Sequence, residues 1–387
     1  MCRVKFLDGL RGWASFSVLL SHLWVCLLMW NFPEYALSDE LGVSLLEKEN
    51  YFGMVFFIFF RFATDGHLAV FVFFVLSGYV LTASYSASNV LSELIGLIFG
   101  RYLRLTIFAL VVNLLIYTGM RIEVISKITE LHYSSEAIEW ISKFYNFEPS
   151  LLGVLKFTIY DMYFNYTVAS TYNASLWTMR YEFFGSALLY IYMHITMGNI
   201  HKVWDIFLAA ILLFKMPIIA CFHVGSLLYR VDLRKCDIWL RRVLGSQILE
   251  YIAIAALIFV GGFSSMYRLN DQVVALYAIL IVLFVLLSKY VQRWLESSVS
   301  QLLGEISFPL YLVQMPIIFI FTINIINGFG FLGIFPNLKV FLNFSISVSV
   351  AILFASVIRP IEIFCIRMSK ISSNLVVEWF RGFNSRD

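Results

Sequence analysis

The first thirty residues read MCRVKFLDGLRGWASFSVLLSHLWVCLLMW (residues 1–30), and how they are read decides the fold. From Gly12 the run is almost wholly apolar and is long enough to cross a bilayer core, which takes about 20 helical residues. Yet Arg11 stands at its mouth and His22 in its middle. Eleven residues of helix rise roughly 16 Å, so Arg11 is expected at the membrane edge and His22 near mid-bilayer. The run lacks a small-residue cleavage site, so it is expected to be a retained first span and not a signal peptide.

The rest of the chain repeats this pattern. Sixty per cent of its 387 residues are hydrophobic and 14% are charged, against about 45–50% and about 25% in soluble chains. The expected fold class is therefore all-α, a polytopic membrane bundle of about ten helices. These fall near 12–32, 67–85, 102–120, 176–196, 203–216, 217–230, 248–264, 273–290, 304–326 and 338–364. The fifth and sixth pivot on Pro217, as a hairpin or as one broken helix. The run YFGMVFFIFF (51–60) is too short to span and reads as re-entrant or interfacial. Residues 121–175 are the longest outer segment and the only place for a small lid. With the N-terminus inside, most of the 28 Lys and Arg residues fall on inner segments, while 33–50 and 121–150 are rich in Glu. Both termini are expected to be cytoplasmic. Residues 1–365 form the membrane domain, and 366–387 an amphipathic tail expected to lie along the inner surface.

A net charge of +3 gives no case for a nucleic-acid partner. The five cysteines, Cys2, Cys26, Cys221, Cys236 and Cys365, are odd in number and have no ligand spacing. No metal site or disulfide framework is expected from them. NYT and NAS match the glycosylation sequon, a match too frequent by chance to carry weight.

Charges and imidazoles in the bilayer core are costly, and by default they suggest function. Arg11 is a topology anchor or part of a site, with Asp8 placed to hold it; His22 makes an interhelical bond or does chemistry. In FFVLSGYVL (73–81), Ser77 and Gly78 either allow close packing or line a narrow channel. In RYLRL (101–105), Arg101 and Arg104 share a helix face at an inner mouth, as positive-inside anchors or as a phosphate clamp. In SLWTMRYEFFGS (175–186), Arg180 and Glu182 fall in the outer half of a span. A salt bridge to another helix and a carboxylate that orients His22 are the two readings for Glu182.

Together these stretches resemble the bacterial acyltransferase family 3, multi-pass membrane enzymes that move acyl groups onto cell-surface carbohydrate. LDGLRG followed by His22 resembles the family's opening Arg–ten residues–His motif, and FFVLSGYVL its Phe-Phe-x-x-Ser-Gly segment. RYLRL resembles its Arg-x-x-Arg pair, and LWTMRYEFF (176–184) its Leu-Trp-x-x-x-x-Glu segment. LGEISFPLYLVQMP (303–316) resembles its late Leu-Gly-x-x-Ser-Tyr-x-x-Tyr-Leu-x-His-x-Pro segment. The chain departs in two places. Gln314 stands where the family usually has His, and Phe71 and Val72 stand where it often has a polar residue.

The resemblance implies an inner-membrane O-acyltransferase, with acetyl as the common acyl group. Acyl-CoA would be the cytoplasmic donor substrate, with no tightly bound cofactor. Arg11, Arg101, Arg104 and Ser77 would bind it. His22 would be catalytic as general base or acyl carrier, with Glu182 beside it. Asp8, Gly78, Trp177 and Tyr311 would support the site. The acceptor would be a carbohydrate hydroxyl, on O-antigen, exopolysaccharide or another lipid-linked sugar, met among membrane lipids. Some relatives carry a fused extracytoplasmic esterase-like domain; this chain is expected to act alone or with a separate partner. The alternative from the residues themselves is a secondary transporter with a His, Glu and Arg relay. A scaffold without chemistry is a further rival.

Overall fold

The computed structural model describes residues 4–31, 51–85, 90–123, 125, 144, 147–197, 202–231, 247–266, 269–322 and 336–384. Every regular element among them is helical. The principal helices are α1 (Lys5–Asn31), α2 (Tyr51–Ala63), α3 (Gly66–Ser84), α4 (Leu91–Arg121), α5 (Leu151–Lys156), α6 (Met162–Phe164) and α7 (Met179–Ile195). They continue with α8 (Lys202–Lys215), α9 (Pro217–Arg230), α10 (Gln247–Met266), α11 (Asp271–Leu287), α12 (Lys289–Leu295), α13 (Ser298–Glu305), α14 (Ser307–Ile317) and α15 (Pro336–Asn384). Four helices among the described residues are long and apolar enough to cross a membrane: α3, α4 and the stretches Ile248–Ser265 and Phe341–Arg381. Counting each of two bent pairs as one span raises that to six. The chain is thus a multi-pass membrane protein.

Several expected spans are helices of a different kind. α8 and α9 have 14 residues each and α7 has 17, short of the roughly 20 a bilayer core requires. Met216 separates α8 from α9, and Pro217 opens the second at a position where its missing N–H costs nothing. α4 begins eleven residues before the expected 102, because LSELIGLIFG contains nothing that stops a helix. Arg101 and Arg104 therefore lie well inside it and not at its mouth. α11 ends at Ser288, whose hydroxyl caps α12, and the chain turns there by 93°.

The chain forms two compact units. The first holds residues 1–84 and 201–307, the second residues 85–200 and 308–387. In the first, glycines set the packing. A methyl on Gly78 would collide with the Phe222 carbonyl, and one on Gly225 with the Val75 carbonyl, so α3 and α9 touch backbone to backbone. The packing reading of Gly78 is the one its surroundings support. The short α2 lies on α10, where Gly262 meets the Ile58 carbonyl and Arg61 Nη2 donates to Ser265 O at 2.7 Å.

In the second unit, α15 runs unbroken through residues 365 and 366, since IRMSKISSNLVVEWFRGF has no breaker. Its C-terminal half lies on the first turns of α4. Ser373 Oγ donates to Gly96 O at 2.6 Å, and Arg381 pairs with Glu93. Amphipathic residues placed in the tail from the sequence thus pack against a helix.

Candidate active site

In the first unit the site is built on α1. The helix is continuous from Lys5 to Asn31, and eleven residues are three turns plus about 20°, so Arg11 and His22 share one face roughly 16 Å apart. Asp8, Ser15 and Val18 fall on the same stripe. Arg11 and His22 are both half-buried.

The opposing glycines of LDGLRG explain why this mouth is rigid. A methyl on Gly9 would strike the Leu295 carbonyl, and one on Gly12 the Leu303–Gly304 backbone. One on Gly304 would lie 2.5 Å from Asp8 O. The first and last of the family-like segments therefore meet directly, LDGLRG against LG of LGEIS. Side chains lock the contact. Trp13 stacks on Trp294 at 4.9 Å and donates to Ser300 Oγ at 2.9 Å. Gln301 Nε2 donates to Lys5 O at 2.8 Å and to Leu295 O at 2.9 Å. Ser15 Oγ donates to Ser307 O at 2.8 Å. Further along, Ser21 touches Gly66 at the start of α3. Ser77 lies eleven residues, again about 16 Å, along α3 from that point, half-buried.

In the second unit Arg101 of α4 and Glu182 of α7 form an ion pair, with side chains only 11% and 13% exposed. Arg101 Nε also donates to Ser186 Oγ at 3.1 Å, one turn after Glu182. An ion pair places both partners at one depth. Arg101 at an inner mouth and Glu182 in an outer half are therefore not both possible, and α4 starts earlier than expected. Arg104 is exposed on the same helix. Arg180 stacks on Tyr181, 5.4 Å from the ring.

The stretch before α7 is the feature the sequence hid. From Ser150, α5, a π-turn (Phe157–Asp161) and α6 run against α4. Asn113 Nδ2 donates to Thr158 Oγ1 at 2.8 Å, Thr106 and Tyr163 share a bond at 2.8 Å, and Tyr102 donates to Ile159 O at 2.8 Å. An irregular stretch with two short 3-10 turns (Val168–Ser170 and Ala174–Thr178) follows, with Thr171, Tyr172, Asn173, Ala174, Ser175 and Leu176 all buried. Buried irregular backbone needs partners for its polar groups, and α14 supplies them here. Pro316 has no N–H to give to the Leu312 carbonyl four residues back. Asn173 Nδ2 supplies the missing donor at 2.7 Å. Tyr311 donates to Ser175 O at 3.0 Å and bonds Thr178 Oγ1 at 2.9 Å. Just outside this turn, burial pushes the Tyr166 phenol up, partly offset by its bond to Thr171. Trp177 is half-buried, one residue before Thr178 at the start of α7, and packs edge-on against Tyr181.

The structure thus brings Glu182, Arg101 and Ser186 together, and joins Tyr311 to the turn that leads into α7. Ser186 and Asn173 are residues the sequence reading missed. Asn173 lay inside a sequon match of no weight, and only Pro316, four residues past Leu312, signalled that a carbonyl there needed a donor. Among the described residues, no group of three or more His, Cys, Asp or Glu side chains is placed to hold a metal ion.

The sequence profile of the family described as an acyltransferase domain matches residues 4–359. Neither a curated protein nor a solved structure matches the chain. The matched range takes in every segment described above, from the α1 mouth through the α4–α7 ion pair to the proline-broken α14. The chain therefore belongs to the acyltransferase family 3, as a multi-pass membrane acyltransferase.

Proposed function

We propose that the protein is an inner-membrane O-acetyltransferase that takes its acetyl group from acetyl-CoA and places it on a hydroxyl of envelope carbohydrate. The observation that supports this most is the α1 face. A clamp of backbone contacts fixes Arg11 and His22 on one rigid helix, roughly 16 Å apart, a span comparable to a phosphopantetheine arm. A guanidinium suited to CoA phosphates and an imidazole suited to the thioester end stand at matching separation. Ser77 adds a hydroxyl donor for the CoA moiety.

In the reaction the acceptor oxygen attacks the thioester carbonyl while His22 takes its proton. The carbon–sulfur bond breaks, an ester forms, and the proton passes to the departing thiolate to give CoA. A route with the acetyl group carried on His22 differs in leaving label on the protein. Arg101 and Arg104 bind donor phosphates through charge-assisted bonds. Glu182 fixes the Arg101 guanidinium. Asp8 holds Arg11, and Tyr311 and Trp177 support the turn that leads to Glu182.

The test is purified protein in liposomes with radiolabelled acetyl-CoA and saponified envelopes from host cells lacking the protein. The expected outcome is alkali-labile acetate on the envelopes with one CoA thiol released per ester. Thiol release without ester would contradict the proposal.

One observation favours a second reading, secondary transport. Asp205, His223 and Arg230 are buried together across the Pro217 break, with Asp205 Oδ1 3.8 Å from both His223 Nε2 and Arg230 Nη2. That reading predicts solute flux with no consumption of acetyl-CoA.

A further inference from the structure

Two polar atoms close to Tyr311 have no hydrogen-bonding partner among the described residues: Gln314 Oε1 and Ser175 Oγ. Gln314 is 0% exposed and Ser175 2%. The orientation of the Gln314 amide is fixed by chemistry. Its Nε2 lies 3.1 Å from Tyr311 O, a carbonyl that can only accept, so nitrogen faces that carbonyl and oxygen is the end left over. Ser175 is similarly committed everywhere but at its hydroxyl. Its N–H donates to Asn173 Oδ1 at 3.1 Å, and its carbonyl accepts from Tyr311 at 3.0 Å. Tyr311 thus carries one unfilled group at each end, Ser175 at the phenol and Gln314 at the main chain.

Buried polar groups in proteins are bonded in the great majority of cases, and one left unmade is a standing cost. Two in one network, one on a 3-10 turn and one on the proline-interrupted α14, indicate a ligand that completes them. Gln314 Oε1 needs an incoming O–H or N–H, while Ser175 Oγ gives or takes one. Neither carries charge, so the CoA phosphates are not the match. A neutral molecule with several hydroxyls is.

We propose that Gln314 Oε1 and Ser175 Oγ bind non-reacting hydroxyls of the acceptor sugar, and that the Thr171–Thr178 turn on α14 is the acceptor's seat. This rests on the reading of the protein as a transferase to a carbohydrate hydroxyl. Tyr311 and Asn173 act as positioning residues, the first setting both unfilled groups and the second docking the turn through Leu312 O. The same hydrogen-bonding chemistry could be met by an ordered water, and the test separates the two sources.

The probe is the saponified envelope preparation, titrated against the whole protein and its Gln314→Met and Ser175→Ala variants in liposomes. Ser175→Ala removes one unfilled group, and Gln314→Met removes the other together with the Nε2 bond to Tyr311 O, both at little change of volume. The expected result is an apparent KM for envelope acceptor raised about three- to tenfold, the loss of one hydrogen bond, with KM for acetyl-CoA unchanged. Melting temperatures of both variants should stay close to the parent's. An unchanged acceptor KM, with or without a shifted melting temperature, would assign the groups to water or to packing and overturn the proposal. An equal rise in both KM values would overturn it too, since the effect would then lie in the fold and not in acceptor recognition. If the parent protein itself transfers no acetate to envelopes, the carbohydrate reading fails and takes this inference with it.

Discussion

Around Arg11 and His22 the first unit works backbone against backbone. Gly9, Gly12 and Gly304 leave no room for a methyl, and the side chains of Trp13, Trp294 and Gln301 seal a contact the glycines already define. Around Arg101 and Glu182 the second unit works through side chains: an ion pair, a serine bond, and an asparagine filling in for a proline. The contrast teaches where tolerance should lie. A steric clamp fails with any added atom but has no charge to lose. A polar network accepts changes of shape and fails when one partner is removed and the other stays buried.

Replacing His22 with Ala tests the clamp without touching it. The α1 mouth should stay seated, with a melting temperature near the parent's, while acetyl transfer falls by about 10²–10⁴-fold, the usual worth of general-base catalysis. Transfer at the parental rate by folded protein would remove His22 from the chemistry.

The ion pair comes next. Arg101→Ala should lower stability by about 3 kcal/mol, since the Glu182 carboxylate is left in a largely buried place without its guanidinium. A double Arg101→Met, Glu182→Met variant should recover most of that loss in a denaturation experiment and should not recover activity. Equal destabilisation by the single and double variants would show that Glu182 does not depend on Arg101.

Gly12→Ala should cost about 1–3 kcal/mol from overpacking against backbone that cannot yield. Gly304→Ala should behave alike, and the pair together should cost less than the sum, because either one alone already opens the seam. Strict additivity, measured by chemical denaturation, would mean the two glycines are not parts of one contact.

Asn173→Ala should cost about 1–2 kcal/mol by leaving the Leu312 carbonyl without a donor. Restoring an N–H at position 316, as Pro316→Ala, should offset part of that loss. No offset would show that the asparagine does something other than replace the proline's missing donor.

Arg104→Ala should have the smallest effect on stability, within about 0.5 kcal/mol, because the side chain is exposed. Its KM for acetyl-CoA should still rise, and Lys should restore it only in part. Acetyl-pantetheine, which lacks the phosphates, should be used equally well by parent and variant. A variant impaired with both donors would argue against a phosphate contact.

Much of this was legible in the residues. The apolar composition gave the membrane class and the helical fold, and Pro217 marked the break between α8 and α9. The segments that carry the family resemblance were visible as short strings, and the Arg11–His22 spacing alone implies one face of a helix. Depth was not legible. Positive-inside counting put Arg101 at an edge, but the rule counts loops, and α4 turned the expected loop into about three further turns of helix. Among the described residues four to six spans stand where ten were expected. Length and hydropathy tell when a helix can cross alone, and α7, α8 and α9 are too short for that.

The sequence by itself determined what is local: which stretches are helical, where proline interrupts, and which polar residues recur at helical spacing. These follow from propensity, periodicity and missing N–H groups, all set by neighbours within a few positions. Only the tertiary structure decided partners far apart in the chain. Gly12 meets Gly304, Arg101 meets Glu182, and Asn173 meets the carbonyl that Pro316 leaves bare. A glycine in a membrane helix says that something comes close, and a proline that a carbonyl is owed a donor. Neither says which residue answers, because that choice is made by packing among helices and not by the order of residues along one of them.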